Sequence, residues 1–175
     1  MKLGTQKGFT LLELLVVLAI IGIMTAIGIV AFTAAQVRAR DSQRKADLKV
    51  IASVLENYFQ KNKSYPSSSS GACGTNVGWF CSKTTDDWID VLTPTYIKTL
   101  PKDLMNDGTR ICQTAPVNNA NASLTYAYQS SAGPAPKEYI LVSKLENEND
   151  PDAGKPVRFA NSTLTYPRCF AIVSP

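Results

Sequence analysis

A long uncharged stretch near the start of the chain constrains the fold more than any other feature. No charged residue occurs from Leu14 to Val37, and about 20 apolar residues are enough for a helix to cross a bilayer. Glu13 lies at the entrance of this stretch, where an ionisable group loses part of its hydration. The acid therefore needs a positive partner, and Lys7 or a newly created N-terminal amine at Phe9 would supply one.

Three ordinary interpretations compete with a functional role for this stretch. The first is a secretory signal peptide with the small residues Thr33-Ala34-Ala35 at its cleavage site. The apolar region of a signal peptide usually has about 7–15 residues, whereas this one is longer and begins with an acid. The second is a plain single-pass anchor. The third is a core helix, which would need a large surrounding domain because the segment is apolar on every face.

Residues 7–13 read Lys-Gly-Phe-Thr-Leu-Leu-Glu. This motif, followed by an apolar helix, resembles the processing site of type IV prepilins and their pseudopilin relatives. The resemblance implies a leader peptide, Met1 to Gly8, that a prepilin peptidase removes by cleavage between Gly8 and Phe9. It also implies N-methylation of Phe9, and pairing of Glu13 with the N-terminal amine of a neighbouring subunit during filament assembly.

The apolar stretch continues without a proline into an amphipathic segment. Leu48, Ile51, Leu55 and Tyr58 recur at spacings of three and four, which is typical of a helix with one apolar face. No stop signal precedes Asn62. The sequence thus predicts one helix over about 9–62, with a membrane or filament-core half at 9–37 and an amphipathic half at 38–62.

The rest of the chain, 63–175, is expected to form an extracytoplasmic head. Residues 64–85 are predicted to be a loop, and Asp86 is expected to cap a short helix through Trp88 and Leu92. Alternating patterns predict strands at 124–128, 138–145 and 169–173. Segments 109–112 and 157–159 are further strand candidates. The predicted fold class is α+β, a type IV pilin-like fold with the long helix packed on an antiparallel sheet of three or four strands.

Short motifs in the second half also resemble the G-type (major) pseudopilins of type II secretion systems. They are Tyr65-Pro66, Tyr96-Ile97, Leu100-Pro101-Lys102-Asp103 and Tyr126-Ala127-Tyr128. Two positions depart from the family pattern. Leu104 replaces the proline after the aspartate, and Val30 replaces the proline that many members carry 21 residues after the mature Phe.

The four cysteines lie beyond the apolar stretch, at Cys73, Cys81, Cys112 and Cys169. An even number in an exported domain favours disulfides, and four cysteines allow three pairings. We favour Cys73–Cys81 and Cys112–Cys169, with reduced core thiols as the alternative.

An acidic segment, residues 146–152, contains Glu146, Glu148, Asp150 and Asp152. Such a density of oxygen ligands is compatible with Ca²⁺, which takes about six to eight oxygens, although the spacing is not that of an EF-hand. G-type pseudopilins bind calcium in a C-terminal loop, but their ligand pattern does not map onto these residues. The alternative is a solvated acidic turn. No other cofactor is expected.

Composition excludes several functions. The formal net charge of +4, or +2 without Lys2 and Lys7, is too small to indicate nucleic-acid binding. The chain has no histidine and shows no nucleophile elbow or phosphate-binding loop. We therefore expect a protein that is not an enzyme.

The expected function is that of a filament subunit in a type IV pilus or a type II secretion-like pseudopilus. The resemblance implies a homo-oligomeric filament, a prepilin peptidase, an inner-membrane assembly platform with its motor complex, and membrane lipid before assembly. The expected location is the cytoplasmic membrane with the head outside, although the basic residues that follow the stretch oppose this orientation by the positive-inside rule. The alternative is a membrane-anchored or secreted binding domain that forms no filament.

Overall fold

The computed structural model describes residues 8–83, 88–116 and 119–175. The expected leader up to Lys7 and the predicted helix cap at Asp86 lie outside these residues. The chain separates into two compact units, residues 1–37 and residues 38–175.

One helix, α1, runs over Leu11–Asn62. It begins two residues later than predicted because Thr10 caps it from outside. At the other end Lys63 has a φ of 57°, and its N–H donates to the Phe59 carbonyl at 2.8 Å. A residue in the left-handed region that closes such a bond is a common way to end a helix.

The described residues of the second unit form eight short strands. They are β1 (Ala72–Cys73), β2 (Asn76–Val77), β3 (Phe80–Cys81), β4 (Tyr126–Ser130), β5 (Tyr139–Lys144), β6 (Val157–Phe159), β7 (Ser162–Leu164) and β8 (Cys169–Val173). A four-stranded antiparallel sheet has the order β3-β4-β5-β8. The β1–β2 and β6–β7 hairpins each form a separate two-stranded sheet. The α+β class and the antiparallel sheet predicted from sequence are therefore present.

The four-stranded sheet has an apolar cluster on each face, because successive side chains of a strand point to opposite sides. Tyr126 and Tyr128 of β4 pack with Leu48, Ile51 and Leu55 of α1 in the first cluster. Burying each of these three aliphatic side chains contributes about 1.5–3 kcal/mol. The first face therefore packs on α1 within the second unit.

The second cluster lies on the sheet face away from α1. It contains all four cysteines, which form the disulfides Cys73–Cys81 and Cys112–Cys169. These are the two pairs favoured from the sequence. One closes the loop from β1 to β3, and the other joins the start of β8 to the segment before β4.

Three details of the predicted head differ from the structure. The fourth strand of the sheet is β3, from the region predicted to be a loop, whereas residues 109–112 form no strand. Val157–Phe159 is a strand, but among the described strands it pairs with β7 and lies outside the four-stranded sheet. Within the described part of the predicted short helix there is a 3-10 turn at Asp90–Leu92.

Candidate functional site

The N-terminal motif forms a reciprocal helix cap. The backbone N–H and the hydroxyl of Thr10 donate to Glu13 Oε2 at 2.8 and 2.9 Å. The backbone N–H of Glu13 in turn donates to Thr10 Oγ1 at 3.2 Å. This is a capping box, in which an N-cap Thr and a Glu three residues later satisfy free N–H groups at the start of a helix.

Glu13 therefore has a partner within its own chain. The hydrogen bonds from Thr10 partly replace the hydration that the carboxylate loses at the entrance of the apolar stretch. The Thr-x-x-Glu spacing is the sequence signal from which this capping box can be predicted. Phe9, at the expected cleavage site, precedes the cap and is 90% exposed. The structure thus places Gly8, Phe9 and Glu13 together at the start of α1.

Among the residues that the structure describes, none covers the apolar surface of the first half of α1. Its large side chains from Leu11 to Phe32 are exposed. By length and composition, α1 is long and apolar enough to cross a membrane. Exposed apolar surface on this scale marks a site of contact with lipid or with other proteins. Val30 stands where many type IV prepilins carry a proline. In this structure it lies within α1, which runs without interruption.

Arg44 forms a buried ion-pair network in the second unit. Its side chain is 2% exposed and lies 2.6 Å from Asp103, 2.8 Å from Asp41 and 2.6 Å from Glu146. Burial alone would lower the pKa of Arg44, but the hydrogen bonds and charges of Asp103, Glu146 and Asp41 outweigh burial and raise the pKa. The guanidinium thus stays charged and links α1 to two distant loops.

The acidic segment is bound to α1 through a basic cluster, which we define as Arg40, Arg44 and Lys45. Arg40 makes a two-pronged contact with Glu146 at 2.8 and 2.5 Å. Hydrogen bonding from Arg40 lowers the pKa of Glu146 to about 2; burial opposes this shift, and Arg44 reinforces it. Asp41 adds a carboxylate that accepts from the backbone N–H of Glu146 at 2.9 Å.

The remaining acids of the segment also have basic partners. Lys45 Nζ lies 2.5 Å from Asp150 Oδ1 and 2.8 Å from Asp152 Oδ2, and Arg168 pairs with Glu148. In the part of the chain that the structure describes, no group of three or more acidic or sulfur side chains is arranged to hold a metal. In this structure, cations of the chain itself therefore pair with the carboxylates that the sequence offers as calcium ligands.

Several motif residues of the second half connect the sheet to α1 or to the segment that directly follows α1. The Tyr126 hydroxyl donates to Asp47 on α1 at 2.7 Å, and that of Tyr128 donates to the Pro66 carbonyl at 2.6 Å. Asp103 carries the buried contact with Arg44. The short motifs thus have structural roles in fixing the head on the helix.

The comparisons with known proteins concern mainly the N-terminal region. The family model described as "Prokaryotic N-terminal methylation motif" matches residues 3–29. Type IV major pilin protein PilA of Myxococcus xanthus is 41% identical over 60 residues, which cover 34% of this chain and 27% of that protein. Type II secretion system core protein G of Pseudomonas aeruginosa is 37% identical over 71 residues, covering 41% of this chain and 50% of that protein.

The chain thus spans half or less of the length of these curated relatives. No solved structure matches it. The methylation motif and both relatives agree with the resemblance inferred from residues 7–13.

Proposed function

We propose that this chain is a structural subunit of a filament, either a type IV pilus or a type II secretion-like pseudopilus. The observation that carries the proposal is the methylation motif, in which Glu13 stands at the start of a helix with an uncovered apolar surface. Both curated relatives are named as a pilin or as a secretion-system core protein, which supports a structural role rather than catalysis.

The proposed maturation begins with cleavage between Gly8 and Phe9 by a prepilin peptidase. N-methylation of Phe9 follows and leaves the new amine charged. Before assembly the apolar half of α1 lies in the cytoplasmic membrane, and the cysteine-containing head lies outside, where disulfides persist.

Assembly then exchanges one apolar environment for another. An assembly platform and its motor complex move subunits out of the membrane, and the apolar helices that contacted lipid contact each other. Glu13 pairs with the Phe9 amine of a neighbouring copy, and this ion pair offsets the loss of hydration at both groups. Before that pair forms, the hydrogen bonds from Thr10 fix the orientation of the Glu13 carboxylate.

The test compares two substitutions at Glu13. Glu13→Ala removes the charge and the two Thr10 bonds to the carboxylate, whereas Glu13→Gln removes the charge but keeps an acceptor for those bonds. We expect both variants to be expressed and processed but to grow few filaments, because neither can form the ion pair. Electron microscopy of sheared surface filaments provides the measurement. Normal filaments from Glu13→Gln would contradict the ion-pair mechanism.

A second experiment separates this function from that of an anchored or secreted binding domain. N-terminal sequencing by mass spectrometry should find methylated Phe9 as the first residue of the mature protein. A chain that begins at Met1 would be a plain anchor, and one that begins at Gln36 would be a secreted domain. Imaging cells with and without the gene then distinguishes a surface pilus from a short pseudopilus.

A further inference from the structure

A cleft of about 520 Å³ lies on the side of the sheet away from α1. Its walls come from the Cys73–Cys81 loop, from residues 111–116 and from the β6–β7 hairpin, and Gln129 of β4 contributes to its lining. Small-molecule sites in proteins typically have volumes of about 300–1,000 Å³, so the cleft has the size of a ligand site.

The lining combines aromatic rings with uncharged hydrogen-bonding groups. The side chains that matter to the argument are Trp79, Phe159, Tyr166, Asn76, Gln113 and Gln129. None of the residues found to line the cleft, all from the described part of the chain, is an Asp, Glu, Lys or Arg. A charged ligand would lose hydration here without gaining an ion partner, which is costly.

Several of these polar groups have no hydrogen-bond partner within the described residues and can therefore bind a ligand. Within residues 8–83, 88–116 and 119–175, the side-chain amides of Gln113 and Gln129 and the hydroxyl of Tyr166 make no hydrogen bond. Tyr166 is only 2% exposed, and burial raises the pKa of its hydroxyl to about 12, so this group stays protonated as a donor. A purely apolar ligand would leave these groups unpaired at a cost in affinity.

The walls of the cleft are fixed in place. Both disulfides lie in the apolar cluster beneath it. Gly71 permits a close approach of the chain, because a Cβ at that position would lie 2.8 Å from the Trp79 carbonyl carbon. The amide nitrogen of Asn76 donates to the Cys73 carbonyl at 3.0 Å, which orients its oxygen as an acceptor. Binding groups that are already positioned lose less entropy when a ligand binds.

We propose that this cleft binds an uncharged mono- or disaccharide unit of a surface or extracellular glycan. The face of Trp79 packs on the C–H face of a sugar ring, while Gln113, Gln129 and Tyr166 exchange hydrogen bonds with its hydroxyl groups. Amides both donate and accept, as sugar hydroxyls do. The proposal extends beyond filament formation, because it gives the head a ligand of its own.

The test uses the full-length chain in lauryldimethylamine oxide, since detergents with sugar headgroups would compete for the cleft. The probes are galactose, N-acetylgalactosamine, glucose, N-acetylglucosamine, mannose, lactose, cellobiose and chitobiose, with glucuronic and sialic acids as charged counterparts. We expect calorimetry to show saturable binding of at least one uncharged sugar with a Kd below about 10 mM. The acids should bind more weakly.

Three variants locate the binding. Trp79→Ala should raise the Kd about ten-fold or more, because it removes the stacking face. Tyr166→Phe keeps the ring, and the loss of one hydrogen bond should raise the Kd about three- to ten-fold. Tyr96→Ala is the matched control, a partly buried aromatic residue outside the cleft, and should leave the Kd unchanged.

Three results would overturn the proposal: no saturable binding by any sugar, equal binding of the acids, or unchanged affinity in both Trp79→Ala and Tyr166→Phe. If Trp79→Ala fails to fold, Tyr166→Phe decides. Filament growth should be normal in Tyr166→Phe, so failure of sugar binding and failure of the filament function are distinguishable.

Discussion

Arg44 shows how one buried charge organises the head. It contacts Asp41 on its own helix, Asp103 between β3 and β4, and Glu146 after β5. Arg44→Met would leave these carboxylates without their shared cation, and breaking a buried pair from one side costs about 3–5 kcal/mol. We expect the free energy of unfolding, measured by urea titration of the full chain in detergent, to fall by this amount.

Arg38 provides the matched control for Arg44. It lies on the same helix and is exposed, so Arg38→Met should change the free energy of unfolding by no more than about 0.5 kcal/mol. Equal and small losses in the two variants would mean that the Arg44 contacts contribute little net stability.

At the scale of elements, the acidic segment and the basic cluster of α1 make stability depend on pH. The folded pKa of Glu146 is lowered to about 2 from 4.5, and that of Asp152 to about 2 from 3.8, where Lys155 and then Lys45 are the main causes. A lowered pKa means that the contribution to stability is complete above the unfolded pKa. We therefore expect the melting midpoint to fall as the pH decreases from about 4.5 to about 2.

Arg40→Met tests the source of this acid sensitivity. Arg40 makes the largest contribution to the Glu146 shift, so its removal should make the midpoint depend less steeply on pH in that window. Lys49→Met, which changes an exposed lysine on the same helix, should leave the dependence intact. An unaltered pH slope in Arg40→Met would contradict the assignment of the acid sensitivity to the Arg40–Glu146 pair.

Neither calcium nor a chelator should move the wild-type melting midpoint, because the carboxylates already have cationic partners.

Local patterns predicted the elements of the fold better than they predicted the contacts between them. Periodicity gave α1 and strands β4, β5 and β8, because each is long enough to show a pattern. Strand β3 has two residues, too few for any alternation, and it is ordered by pairing with β4 more than 40 residues later.

The ion-pair network cannot be predicted from the sequence for a related reason. Arg44 precedes Leu48 by four residues on the buried stripe of α1, and a charge on such a stripe signals a buried partner. Its partners Asp103 and Glu146 lie 59 or more residues away, so sequence spacing could not identify them. In the sequence alone, the basic residues indicate only an amphipathic segment after the apolar stretch, and the acidic segment is compatible with a solvated turn or with a calcium site.

At the scale of the whole molecule, the two units differ in how far their own residues bury their apolar side chains. In the described chain, every side-chain nitrogen or oxygen that solvent cannot reach at all has a hydrogen-bond partner, and the second unit has two apolar clusters of its own. The first unit leaves its apolar side chains exposed. If the chain is a filament subunit as proposed, the head can keep its own contacts on assembly, while the exposed half of α1 exchanges lipid for neighbouring helices.

Loop closure predicts that the two disulfides stabilise the head unequally. Cys112–Cys169 joins residues 57 apart, and Cys73–Cys81 joins residues 8 apart. In the chain-entropy model these links contribute about 4 and about 2.5 kcal/mol, because a longer loop restricts the unfolded chain more. The double variant Cys112→Ser/Cys169→Ser should therefore lose more stability in urea than Cys73→Ser/Cys81→Ser. A larger loss from the short loop would mean that packing around Trp79, rather than chain entropy, dominates.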